Sequence, residues 1–228
     1  MAKISKPTLY SPAGNIKKAF SSIYFGADGI YIGSNKYELR KSDVIAQEEL
    51  KNLIEFCHKN NKKIDITLNA YLREFEIDDF IKHLKMIVSL NPDSIIISDP
   101  AVIILYEELK EQMTNKTNIT QFPELILSTQ ANSSNFYSMK FWNKQGVRRI
   151  VAARELSLNE IYQIKKNQKE KGYSFEIEAF IHGAMCVSIS GRCLLSLYMT
   201  NKKLSEKALQ NLEMQTKVNV FILVDLHI

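Results

Sequence analysis

The sequence predicts an α/β fold, a (β/α) TIM-barrel-like domain left incomplete at its C-terminal end. Three observations carry the fold class. Strand and helix periods alternate along the 228 residues, with seven strands and six clear helices between them. Short alternating units of this kind give parallel strands joined by right-handed crossovers. No glycine-rich phosphate loop follows the first strand, which sets the chain apart from dinucleotide-binding open sheets. Polar residues also recur where strands end: Asn69, Ser98 with Asp99, Thr129 with Gln130, Arg154 with Glu155, and His182. In a barrel such ends converge on one mouth, where active sites sit.

The elements follow in order. Residues 8–11 form a short strand, and Asn15 can cap a helix whose apolar stripe is Ile16, Ala19, Phe20 and Ile23. Strand 28–33 precedes a polar stretch with Tyr37 and Arg40, then helix 45–60 with Leu50, Leu53, Ile54 and Cys57 on one stripe. Strand 63–68 ends at Asn69, and helix 76–90 carries Ile77, Phe80, Ile81, Leu84, Ile87 and Val88. After strand 94–97, Asp99 and Pro100 suit the cap and first residue of a helix reaching about residue 113. Residues 114–122 read as a polar surface loop. Strand 124–128, helix 134–145, strand 147–153, helix 158–171 and strand 174–181 complete the pattern, with Ser157 and Glu160 as a capping box.

Composition narrows the classes. The chain is 45% hydrophobic, which excludes global disorder. The N-terminal residues carry no apolar signal core and no run spans a bilayer, so a cytoplasmic, membrane-free protein is expected. Three cysteines in that setting argue against a disulfide framework. The net charge of +5 reads as mild and diffuse, compatible with a nucleic-acid partner without requiring one.

The reactive side chains concentrate in residues 176–196, with His182, Cys186, Arg192 and Cys193. His182 suits a general acid/base or an ordinary strand-end histidine, and the residues alone leave both open. Cys57, on an apolar stripe, reads as a core thiol. Cys186 and Cys193 are seven apart, too far for a zinc knuckle, and spacing alone favours two buried structural thiols. Arg40, Arg154 and Arg192 suit phosphate or carboxylate, or the surface. No Ser-His-Asp order, H-E-x-x-H or P-loop motif is present.

Beyond these readings, the chain resembles the peptidase U32 family. The family signature, E-x-F-x-x-G-[small]-x-C-x(4)-G-x-C with local variation, is similar to Glu178, Phe180, His182, Gly183, Ala184, Cys186, Ser190, Gly191, Arg192 and Cys193, with a longer gap between the cysteines. Ser11–Asn15, Gly26-Ala27-Asp28, Leu39-Arg40, Ser98-Asp99-Pro100, Leu127–Asn132 and Ala153–Ser157 match in order. The resemblance implies a barrel-like catalytic domain. It implies oxygen-independent hydroxylation of tRNA or rRNA bases, or of a quinone precursor. The historical label, a collagenase-like peptidase of unknown catalytic type, is the alternative. RNA or peptide is then the substrate partner. His182, Glu155 and Arg154 become catalytic candidates, and Asn69, Asp99, Gln130, Arg40 and Arg192 substrate-binding candidates. Several family members hold an iron–sulfur cluster on four cysteines, and Cys186 and Cys193 match two of those ligands.

The other two are expected in a downstream motif, R-D-A-N-x-G-x-C-x-x-x-C-R, which is absent after Asn201. One reading of the tail is helix 204–215 and a closing strand 218–225. The other is a shifted frame. Joining the third base of each codon to the next two, Met214–Gln215 must encode Ala, Glu213–Met214 Asp or Asn, and Gln215–Thr216 Asn or Asp. Lys217–Val218 gives Gly or Ser, Asn219–Val220 gives Cys or Arg, and Leu223–Val224 allows Cys. The shifted frame can spell the missing motif. The expected organisation is thus a U32-type barrel domain over 1–201 and an out-of-frame tail over 202–228. Such a chain would hold an incomplete ligand set and could be an inactive fragment.

Overall fold

The computed structural model describes residues 6–39, 43–116, 121–183, 189–191 and 222–225, without the side chains of 115–116 and 222–225. The chain has the α/β, (β/α)-barrel-like architecture expected. It divides into two compact units, Ala13–Leu125 and Met1–Pro12 with Ile126–Ile228.

The first unit contains helix α1 (Ile16–Tyr24), strand β2 (Gly29–Gly33), helix α2 (Gln47–Lys59), strand β3 (Lys63–Leu68), helix α3 (Ile77–Ser89), strand β4 (Ser94–Ile97) and helix α4 (Pro100–Lys116). β2, β3 and β4 are parallel in sequential order, with Gly29 opposite Lys63 and Asp65 opposite Ser94. β-Branched isoleucines suit strands buried on both faces: Ile30, Ile64, Ile66, Ile95 and Ile97 are fully buried. Against them lie Leu50, Leu53, Ile54 and Cys57 of α2 and Phe80, Leu84, Ile87 and Val88 of α3. The Asn15 side chain caps α1 at Lys18 N, as expected. Phe20, which the stripe would bury, is 41% exposed and instead meets Phe56 of α2 edge-on, 4.7 Å between centroids. α4 continues to Lys116, past residue 114 where a polar loop was expected.

The second unit contains most of strand β1 (Thr8–Ala13), the end of strand β5 (Glu124–Leu127), helix α5 (Phe136–Lys144), strand β6 (Arg149–Val151), helix α6 (Leu158–Glu170), strand β7 (Glu176–His182) and strand β8 (Ile222–Asp225). β5, β6 and β7 are parallel neighbours, with Ile126 opposite Arg149 and Arg149 opposite Glu176. β8 lies within the expected 218–225 strand. It runs antiparallel to both β7 and β1, unlike the crossover-linked strands before it. Asn135 and Ser157 cap α5 and α6, and Glu160 returns the second bond of the Ser157 capping box.

A buried ion pair joins β6 to β7 in this unit. Arg149 is buried (7% side-chain exposure) and its Nη1 donates to Glu178 Oε1 at 2.6 Å, with Glu178 1% exposed. Its Nε lies 3.2 Å from Glu176, and its guanidinium sits over the Tyr10 ring, 4.8 Å from the centroid. β7 buries Ile177, Glu178 and Ala179 in succession, without the one-in, one-out alternation of a half-buried strand. The ion partner is what makes that burial tolerable.

Candidate functional site

In the second unit, the ends of β5 and β6 meet residues 189–191, the stretch between the two downstream cysteines. The junction is built on Ser190, which is fully buried. Its Oγ accepts from the Arg154 backbone N–H and from Arg154 Nε, both at 3.1 Å. The Thr129 hydroxyl donates to the same oxygen at 3.4 Å. The Ser190 N–H in turn donates to the Glu155 carboxylate. Gly191 has φ +71°, and its α-carbon lies so close to the Gln130 carbonyl that a β-carbon would stand 1.9 Å from that oxygen. Only glycine fits both constraints.

Local chemistry explains how the strand ends present these groups. Thr129–Ala131 form a single 3-10 turn capped by the Ser128 side chain, and Asn132 closes it with φ +50°. Ala153 N–H bonds to Ser133 O, fixing Arg154 and Glu155 just past β6. Burial alone would raise the Glu155 carboxyl. Hydrogen bonds from Ser190 and from its own backbone, with Arg154 nearby, outweigh that and hold it below the ordinary value. Glu155 is thus an anion occupied with the 189–191 backbone. His182 stands at the end of β7, exposed, opposite Ile222, beyond a register shift between Phe180 and His182. The structure therefore joins Gln130, Arg154 and Glu155 through Ser190–Gly191. It does not place His182 in that hydrogen-bond network among the described residues.

In the first unit, the expected substrate-binding residues are engaged with backbone. Asn69 Oδ1 accepts from Leu39 N–H at 3.1 Å. Asp99 accepts from Ala101 N–H at 2.9 Å, as the predicted cap, and from Leu72 N–H at 2.8 Å. Arg40, Arg192, Cys186 and Cys193 lie outside the described residues, as does most of the 202–228 tail.

The same unit holds a network that the sequence did not announce. Ser34 Oγ lies 2.8 Å from His83 Nε2. Tyr37 donates to Asp79 at 2.7 Å, and Lys36 reaches the same carboxylate oxygen at 2.9 Å. Tyr37 adopts φ +60°, unusual for an aromatic residue. Its hydroxyl bond, its edge-on contact with Phe80 at 4.9 Å, and its carbonyl bond from Ala70 N–H hold it there. Ser34 is 3% exposed, so the pair serves the loop after β2 and offers no open nucleophile.

Burial lowers His83 to about 4, keeping it neutral at pH 7. An unfolded histidine titrates near 6.5, so between these values the unfolded chain binds more protons. The contribution of His83 is complete above about pH 6.5 and is lost progressively as pH falls towards 4. Urea unfolding at pH 7 and pH 5 should show a smaller drop on acidification for His83→Gln than for the wild type. Equal drops would exclude His83 as the source.

The described residues do not supply the ligands of a four-thiolate cluster, since Cys57 is the one cysteine among them. Among them no group of three or more His, Cys, Asp or Glu could hold a metal ion. Cys57 is fully buried on α2, and burial pushes its thiol up to about 12, so it stays protonated in the core. Among the described residues no helix is long and apolar enough to cross a membrane.

Comparison with known proteins adds four findings. The model for peptidase family U32 matches residues 14–208. The tRNA hydroxylation protein P of Escherichia coli (strain K12) is 38% identical over 200 residues, which cover 86% of this chain and 41% of that protein. The 23S rRNA 5-hydroxycytidine C2501 synthase of the same organism is 30% identical over 194 residues, 85% of this chain and 27% of that protein. The chain thus spans well under half the length of these relatives. The solved structure of the U32 peptidase Mk0906 shares the fold, with a TM-score of 0.58 at 12% identity, covering 82% of this chain and 74% of that one.

Proposed function

The chain belongs to peptidase family U32, and on that premise we propose that it serves the oxygen-independent hydroxylation of a base in tRNA or rRNA. The observation that carries this reading is the Ser190–Gly191 junction. The family-signature segment is anchored on Gln130, Arg154 and Glu155, within a chain 38% identical to a tRNA hydroxylation protein.

The roles we assign follow from the contacts. Arg154 and Glu155 are positioning residues that hold the signature segment against the ends of β5 and β6. His182, exposed at the end of β7, is the group free to move a proton near a bound base. Cys186 and Cys193 would be two thiolates of the family's four-cysteine cluster, which supplies redox chemistry in members that hold it. The second pair would come from the shifted frame of residues 202–228, and sequencing the gene across codons 200–228 tests that point. A shifted frame without two cysteine codons would end it.

The function itself is tested by mass spectrometry of tRNA and rRNA nucleosides from cells grown without oxygen. Deleting the gene should remove one hydroxylated nucleoside, and a plasmid copy should restore it. An unchanged nucleoside profile would overturn the reading. The peptidase reading draws no support from Ser34 and His83, since that serine is closed to substrate.

A further inference from the structure

The chain's positive charge is less diffuse than its composition implies. Residues 136–173 contain nine basic and three acidic side chains, a net +6, while the whole chain carries +5. The remainder is therefore slightly acidic. This segment comprises α5, β6, α6 and the turn after α6, and α5 packs against α6.

On that face, aromatic rings and ammonium groups interleave. Lys171 Nζ donates to the Tyr137 hydroxyl at 3.1 Å and lies 5.1 Å from that ring's centroid and 5.4 Å from Phe136. Lys140 Nζ lies 4.8 Å from the Tyr173 ring and 6.0 Å from Tyr137. Phe136, 4% exposed, meets Tyr137 and Tyr173 edge-on at 5.3 and 5.8 Å, so a core residue fixes the row. Tyr137 remains 65% exposed. Among the described residues neither ammonium group has a carboxylate partner. The lysines lower the hydroxyls of Tyr137, through Lys171, and of Tyr173, through Lys140.

We propose that the α5–α6 face, centred on Tyr137, Lys140, Lys171 and Tyr173, docks RNA, with phosphates at the lysines and an unpaired base on Tyr137. Three features single out this occupant. Un-neutralised ammonium groups favour a polyanion. An exposed ring held rigidly beside them is a stacking platform for any base. Even with Arg149 buried on Glu178 and Arg154 bonded at the Ser190 junction, this segment keeps six lysines in a chain otherwise near neutrality, which favours that polyanion here. The inference rests on the RNA-directed reading and names a surface that brings the substrate in, apart from the Ser190 junction.

The test is fluorescence anisotropy of a labelled, unmodified tRNA transcript titrated with the full chain across a salt series. Lys140→Glu/Lys171→Glu should weaken binding by at least about tenfold at 0.1 M salt and reduce the salt slope by about two. Lys140→Gln/Lys171→Gln should do so more mildly, with an unchanged thermal melt as the check on folding. Tyr137→Ala should weaken binding by about tenfold with the slope unchanged. Lys82→Glu/Lys85→Glu, a matched reversal of exposed lysines on α3, should leave affinity near that of the wild type. Equal losses in the α3 and α5–α6 variants would overturn the proposal, as would wild-type affinity in the α5–α6 variants. A wild-type chain that binds anionic phospholipid vesicles but no tRNA would overturn it too. The nucleoside measurement decides the hydroxylation reading separately, so a hydroxylated base that still depends on the gene would leave that reading standing while this surface falls.

Discussion

Glu178→Ala is expected to destabilise the protein by about 3–5 kcal/mol, the usual cost of removing one partner of a buried ion pair. The substitution leaves the Arg149 guanidinium buried, with the partly exposed Glu176 as its remaining described carboxylate. Tyr10 still covers one face of the guanidinium, but an aromatic ring replaces only part of a carboxylate's interaction. Replacing both partners with apolar residues, Arg149→Met with Glu178→Leu, should recover most of the loss, because the desolvation cost disappears with the charges. Urea unfolding of the wild type, the single variant and the double variant measures this directly. A loss below about 1 kcal/mol for Glu178→Ala, in the range of a surface pair, would show that the interaction is not buried in solution.

Gly191→Ala should be comparably damaging, and more local in its consequences. The left-handed backbone alone costs an alanine roughly 1–2 kcal/mol. The larger problem is the Gln130 carbonyl, backbone that cannot rotate away from a β-carbon 1.9 Å distant. Relief requires residues 189–191 to lift off, which breaks the Ser190 bonds to Thr129, Arg154 and Glu155, each worth about 0.5–1.5 kcal/mol net. The expected result is a lower urea midpoint, faster hydrogen exchange at the Ser190 amide, and failure to restore the hydroxylated nucleoside in the deletion strain. Ser190→Ala keeps the backbone conformation but removes the shared acceptor, and should fall between Gly191→Ala and the wild type. A Gly191→Ala protein with wild-type exchange and full complementation would remove the junction from the functional argument.

The junction also shows why the site was only half legible. Gln130, Arg154 and Glu155 stand out in the sequence as polar residues closing apolar strands, and the structure brings them together. Ser190 matched the family signature, yet nothing near it in sequence signals that it joins Arg154, 36 residues earlier. Asn69 and Asp99 looked equally suited to a substrate, and the structure engages both with backbone N–H groups of neighbouring loops. A side-chain oxygen's partner depends on which loop packs beside it, and residue type cannot specify that.

Local patterning in the chain sets the α/β class, the order of the elements and most of their boundaries. Those depend on periodicity, caps and β-branched runs, which act over a few residues. The remaining features come from how the elements pack. Tertiary packing paired Arg149 with Glu178 across 29 residues and Ser34 with His83 across 49. It set β8 antiparallel, and it gathered Lys140 and Lys171 beside Tyr137 and Tyr173. Strand register and helix packing create these neighbours, and neither leaves a local trace in the chain.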